Sequence, residues 1–171
     1  AWSPESPFLY DLTFEVLDGG GHVLDLVRSY AGLRKVHVEG GRVYLNNQPR
    51  YLRLVLDQGF YPEGIWTAPT DRDLRRDIEM SMRAGFNGAR LHQKVFEERF
   101  HYWADRLGYL TWGESASWGL VFCSWYHTMP ANRHVPFEAG ALNFLTEWRE
   151  VITRDRNHPS IIAWSPFNET G

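Results

Sequence analysis

Cysteine is nearly missing from this chain. It has one, Cys123, so no disulfide closes within it. That residue sits between Phe122 and Ser124 in an aromatic stretch and reads as a packed thiol, not a nucleophile. Runs of Lys or Arg are absent and the formal net charge is −3, so nothing calls for nucleic acid or an anionic membrane. No apolar stretch approaches the ~20 residues that span a bilayer. The opening Ala1-Trp-Ser-Pro-Glu-Ser-Pro7 lacks the basic start and apolar core of a signal peptide. The compartment stays open, with the cytoplasm as the default. No Gly-rich phosphate loop follows any expected strand: Gly85 is placed to end a helix, and Gly19 to Gly21 to turn a hairpin, so nucleotide binding is unsupported. His127 and His134 share a loop with no further ligand at binding spacing and read as solvated histidines; no metal ligand is identified, no cofactor is expected, and metal dependence stays open.

Aromatics are plentiful: eight Trp, eight Tyr and ten Phe in 171 residues. Most belong in a core, although sugar sites also use aromatic faces against C–H surfaces.

Two rhythms divide the chain. From Phe8 to about Asn46 apolar residues alternate, with Gly-rich breaks at Asp18–Gly21 and Gly40-Gly41, which predicts two β-hairpins. Asn46-Asn-Gln-Pro49 reads as a turn before the apolar run Tyr51–Leu56. Beyond residue 70 the pattern alternates between helix and strand. Thr70, with Asp73 three residues on, resembles a capping box. Leu74, Ile78 and Met82 then share one face, and Gly85 ends the helix. A strand over Phe86–His92 follows, then a helix with Phe96, Phe100, Trp103, Ala104 and Leu107 on one stripe and Gly108 as its stop. Tyr109–Trp112 is the next strand, closing at Gly113-Glu114. A loop of about twenty residues, long enough to be functional, leads to a helix carrying Phe137, Ala141, Phe144, Leu145, Trp148 and Ile152. The last apolar run, Ile161–Trp164, is short and bounded by turn residues, as in a strand buried on both faces of a parallel sheet. Strict βαβαβαβ order implies right-handed crossovers. Four such strands make half of a (β/α)8 barrel or a small doubly wound sheet.

In such barrels chemistry sits at the C-terminal strand ends. Those ends carry Asp57-Gln58, Arg90 and His92, Glu114, and Asn168-Glu169. Singly, each fits a polar loop or a helix cap. Together on one rim they point to a site, with Glu169 the first candidate for a catalytic carboxylate.

The terminal stretch Asn157-His-Pro-Ser-Ile-Ile-Ala-Trp-Ser-Pro-Phe-Asn-Glu169 resembles the acid/base signature of glycoside hydrolase family 2, the β-galactosidase, β-glucuronidase and β-mannosidase group. Tyr44–Arg53, Asp77–Arg90 and Tyr102–Glu114 are similar, in order, to that family's first three barrel units. Ser3–Leu12 resembles the end of the immunoglobulin-like sandwich that precedes the barrel. The likeness implies an α/β fold: terminal strands of a β-sandwich over residues 1–33, then the first half of a (β/α)8 TIM barrel over 34–171. It implies a retaining exo-β-glycosidase acting on a carbohydrate β-glycoside, with Glu169 as general acid/base and Asn168 donating to the sugar 2-hydroxyl. Arg90 would orient carboxylates, and His92, Glu114 and Asp57 would line the pocket. Trp118, Trp112 and Trp164 offer platforms for sugar, with core packing the preferred reading of the last two. Leu54-Val-Leu-Asp-Gln58 and Arg90-Leu-His92 depart from the family pattern and leave the sugar open.

A retaining mechanism needs two carboxyls about 5–5.5 Å apart. The implied nucleophile is a second Glu from a later strand, beyond position 171. The chain therefore reads as a fragment, inactive alone or nearly so, whose open half-barrel self-associates through its edges and uncovered inner face. The rival readings are a non-catalytic carbohydrate-binding or interaction module, and an unrelated glycosidase family on the same barrel.

Overall fold

The computed structural model describes residues 1–116 and 137–168. Its first element is the expected hairpin, β1 (Tyr10–Leu17) against β2 (Val23–Ala31), running antiparallel from Tyr10↔Ala31 to Leu17↔Val23. Asp18 closes the turn: its Oδ1 accepts from the backbone N–H of Gly20 at 2.8 Å and of His22 at 2.9 Å. Phe14, Val16, Leu24 and Val27 of this ribbon stay exposed.

A three-stranded meander follows: β3 (Val36–Glu39), β4 (Arg42–Leu45) and β5 (Gln48–Arg50). The turn expected over Asn46–Pro49 is shorter than that. Asn46 and Asn47 alone make it, both left-handed at φ 52° and 65°, a geometry Asn tolerates. Gln48 and Pro49 already pair with Leu45 and Tyr44, and Pro49 is tolerated because β5 is an edge strand. The next strand consequently starts late, at Leu54, and Tyr51 is exposed.

The third sheet is parallel, in the order β6 (Leu54–Asp57), β7 (Gly88–Leu91), β8 (Leu110–Glu114), β9 (Ile161–Ser165). Helices α1 (Asp71–Arg83), α2 (Glu98–Leu107) and α3 (Phe137–Asp155) connect consecutive strands. Thr70 caps α1 by accepting from the Asp73 N–H, with Asp71 and Asp73 favouring the positive end of the helix dipole. Gly108 ends α2 in the left-handed region at φ 75°, where a side chain would also strike the Pro4 backbone.

Leu74 and Ile78 of α1 and Phe100 and Ala104 of α2 pack against Ala89 and Leu91 of β7. Met82 does not join them. It is 38% exposed, so the buried stripe of α1 ends one turn before the helix does. In α3 the buried apolar positions among the described residues are Phe144 and Trp148, four apart on one face, and the neighbouring Leu145 is rotated ~100° away into the open. Strand β9 is only partly enclosed: Ile161 is buried, whereas Ile162 to Ser165 are half-buried.

At the opposite end from the strand C-termini, the hairpin is fastened to the sheet. Trp2 is fully buried and its indole N–H donates to the Asp105 carbonyl at 2.8 Å. The Asp105 carboxylate accepts from the Tyr30 hydroxyl of β2 at 2.8 Å and from the Ser160 N–H at 2.9 Å, and lies 2.6 Å from His158 Nδ1. Arg34 donates to the carbonyls of Pro159 and Ile161 at 3.0 and 2.6 Å. The segment His158–Ser160 thus serves the N-terminal end of β9, where barrel residues act in stability.

Candidate active site

Parallel register brings the polar strand ends together. Arg90 is opposite Trp112 across β7 and β8, so side-chain alternation puts Arg90, Trp112 and Glu114 on one face of the sheet. From β7 the Arg90 guanidinium reaches the end of β8 and the segment that follows β9. Its Nε donates to Glu114 Oε2 at 2.7 Å and a terminal nitrogen donates to Asn168 Oδ1 at 2.7 Å. The other oxygen of Glu114 accepts from the Gln93 backbone N–H at 3.1 Å. The Glu114 side chain is fully buried, and a buried carboxylate held by a guanidinium and an amide has its charge compensated. Gln93 makes its bond from φ 51°, a left-handed backbone at a non-glycine residue.

His92 stands beside this cluster, not inside it. Gln58 Nε2 lies 3.0 Å from His92 Nδ1; with the amide as donor, the ring carries its proton on Nε2. Asp57 closes its own loop, its Oδ1 accepting from the Gly59 N–H at 2.8 Å. Burial raises the Asp57 pKa, with the Gly59 bond and the charge of Lys94 opposing. Trp164 packs over Gly113 and meets Trp148 edge-on at 5.5 Å, as a core residue does. Trp112 is half-buried, its indole nitrogen without a partner among the described residues. Glu169 and Trp118, together with Cys123, His127 and His134, lie outside the described residues. No group of three His, Cys, Asp or Glu side chains able to hold a metal occurs among the described residues.

Two contributors carry no signal in the sequence. Gln93 acts through its backbone, which any residue type supplies. Lys94 is 6% exposed and donates to the carbonyls of Gly59 and Trp66 at 2.8 and 2.6 Å, under the rings of Trp66 and Phe96. Desolvation lowers its pKa, while Glu97 and Asp57 raise it. A lysine between Gln93 and Val95 reads as solvated until the fold folds the β6–α1 loop over it.

What the arrangement can do is hold. An arginine fixes two side chains at one rim, one at the end of β8 and one in the segment after β9, and Asn168 is the residue immediately before Glu169.

The chain resembles known proteins over almost its whole length. The family described as glycosyl hydrolases family 2, TIM barrel domain, matches residues 36–171, and the family described as glycosyl hydrolases family 2 matches residues 1–34. A β-galactosidase of Photobacterium profundum is 30% identical over 99% of this chain, and β-galactosidase 2 of Enterobacter cloacae is 32% identical over the same share. In both cases the chain spans only 16% of the relative's length. Among solved structures, a Ruminococcus gnavus β-glucuronidase in complex with uronic isofagomine superposes with a TM-score of 0.83 at 29% identity, over 99% of this chain and 28% of that one. A Bacteroides uniformis β-glucuronidase gives 0.80 at 28% identity, over 99% of this chain and 19% of that one. By the barrel-domain match across most of its residues, and by a fold that places four consecutive barrel strands behind the last strands of a second domain, this chain belongs to glycosyl hydrolase family 2.

Proposed function

We propose that this chain is the acid/base half of a retaining exo-β-glycosidase that hydrolyses O-glycosyl bonds. The observation that carries the reading is Arg90 bridging Glu114 and Asn168 at the C-terminal strand ends, one residue before Glu169. In this reading Glu169 protonates the glycosidic oxygen as the bond breaks, then takes a proton from the water that releases the sugar. Asn168, its carbonyl oxygen held by Arg90, is the proposed donor to the sugar 2-hydroxyl. Arg90 serves as a positioning residue, and Glu114 as its buried counter-charge. The proposed division of the chain at residues 33 and 34 lies close to where one family match ends, at residue 34, and the other begins, at residue 36.

Only one carboxyl of the required pair matches a family position within the 171 residues, so the chain alone is proposed to be inactive or nearly so. The test uses a panel of aryl and alkyl β-glycosides. It compares the 171-residue chain, the longer enzyme that contains it, and Glu169→Gln in each. The longer enzyme is expected to turn over, and Glu169→Gln to lower kcat on alkyl glycosides by about 10²–10⁴, with a smaller loss on activated aryl glycosides. Turnover by the short chain that Glu169→Gln reduces would show a second carboxylate already in place and overturn the inactive-half reading. Binding without turnover in the longer enzyme would favour a carbohydrate-binding module.

A further inference from the structure

Next to the Arg90 cluster, outward along the rim, lies a cleft of about 250 Å³ lined by Gln58, Phe60, Trp66, His92 and Gln93. Its polar groups gather at the inner end, where Gln58 meets His92 and the Gln93 N–H meets Glu114. Gln93 is 7% exposed, and its Oε1 is buried without a partner among the described residues. The outer wall is aromatic. Phe60 and Trp66 meet edge to face at 4.9 Å, yet they remain 55% and 52% exposed.

Water-facing rings on a loop ordinarily move, because nothing offsets the entropy of fixing them. Here the loop is fixed from beneath. Buried Lys94 donates to the carbonyls of Gly59 and Trp66, one at each end of the loop. Gly59 is left-handed at φ 64°, and a Cβ there would lie 2.6 Å from the Lys94 nitrogen, so a larger residue would be strained and would displace the lysine. Tyr61 and Ile65 exchange both backbone hydrogen bonds at 2.9 Å. Ile65 itself has φ 58°, an outlier for a β-branched residue, and it directly precedes Trp66. Backbone strain of that kind persists where surroundings over-determine it, and it clusters at ligand clamps.

We propose that the Phe60–Trp66 wall is the leaving-group subsite of this enzyme, selecting β-glycosides whose departing group is a planar aromatic alcohol. The inference rests on the hydrolase reading above. The reacting sugar belongs over the Arg90, Glu114 and Asn168 cluster, and the cleft takes what is attached to it. An aryl ring stacks on Trp66 with Phe60 at its edge, and Gln93 Oε1 accepts a hydroxyl proton from the bound glycoside.

The test measures kcat/KM of the full-length enzyme on phenyl and methyl β-glycosides that share one glycone, for wild type, Trp66→Ala, Trp66→Phe and Phe60→Ala. Comparing each variant's phenyl-to-methyl ratio with that of wild type cancels the intrinsic difference between leaving groups. Trp66→Ala is expected to lower the ratio about tenfold, with methyl glycoside activity held within about twofold, and Trp66→Phe to keep most of it. Retained methyl glycoside activity also shows that the variant folds. An unchanged ratio, or an equal loss on both substrates, would overturn the subsite while leaving the hydrolase intact. A wild-type enzyme that cleaves neither glycoside would overturn the hydrolase reading itself and the subsite with it.

Discussion

Arg90 is the residue on which the rim depends. It serves two acceptors, Glu114 on β8 and Asn168 in the segment after β9, and only a planar guanidinium offers donors in the fork that does so. Lysine has the charge but not the fork. Replacing Arg90 by Met leaves a fully buried Glu114 carboxylate with one remaining donor among the described residues, the Gln93 N–H. The expected cost is about 2–3 kcal/mol, below the usual figure for a broken buried pair because Arg90 itself is a third exposed. Urea unfolding of Arg90→Met should show that loss, and adding Glu114→Gln should restore part of it. A double variant no more stable than Arg90→Met would mean that Glu114 does not need the charge. Arg90 and Glu114 were legible because a polar residue near the end of an apolar strand is a local signal, and Asn168 because it stands beside Glu169 in one motif. Gln93 and Lys94 were not, since one acts through its backbone and the other through loop carbonyls that only the fold brings within reach.

Between elements, a network of charged and polar side chains ties helices and strands together at the far end of the strands. Helix α2 supplies His101 and Asp105, the end of α3 supplies Arg154 and Asp155, β2 supplies Tyr30, and His158 precedes β9. The rings of His101 and His158 lie 5.1 Å apart. Burial pushes the His101 pKa down to about 4, with the charges of Asp155 and Asp105 opposing and those of His158 and Arg154 adding to the shift. The unfolded chain titrates this residue near 6.5 and therefore binds more protons than the native state between the two values. Its contribution to stability is complete above pH 6.5 and is lost as the pH falls toward 4. From pH 7.5 to 5 the expected loss is about 2 kcal/mol. Comparing urea midpoints at those two pH values for wild type and His101→Gln checks it: the variant should lose less. Equal losses would place the acid sensitivity elsewhere.

For the whole 171-residue chain, coverage is uneven. Helices cover one face of the parallel sheet, whereas Leu56 on the other face is 53% exposed and β6 and β9 are edge strands among the described residues. The ribbon β1–β2 adds Phe14, Leu24 and Val27, all more than half exposed. Unpaired edges and uncovered apolar faces associate. We therefore propose that the isolated chain self-associates. Sedimentation velocity at micromolar concentration should show species heavier than a monomer; a clean, stable monomer would count against that proposal.

Sequence by itself determined the order of elements, the parallel sheet and the caps at Thr70 and Gly108, because periodicity and capping chemistry act over a few residues. The family came from the likeness of whole motifs, Asn157–Glu169 foremost. It marked His158 and Asn168 as parts of one motif. Tertiary structure assigned them to opposite ends of β9, His158 to the buried Asp105 network and Asn168 to Arg90. It also decided that Pro49 pairs in a strand, that Met82 and Leu145 face outward, and that Lys94 holds a loop. Each of these turns on what a distant segment covers or donates to, and such contacts leave no local pattern in a chain.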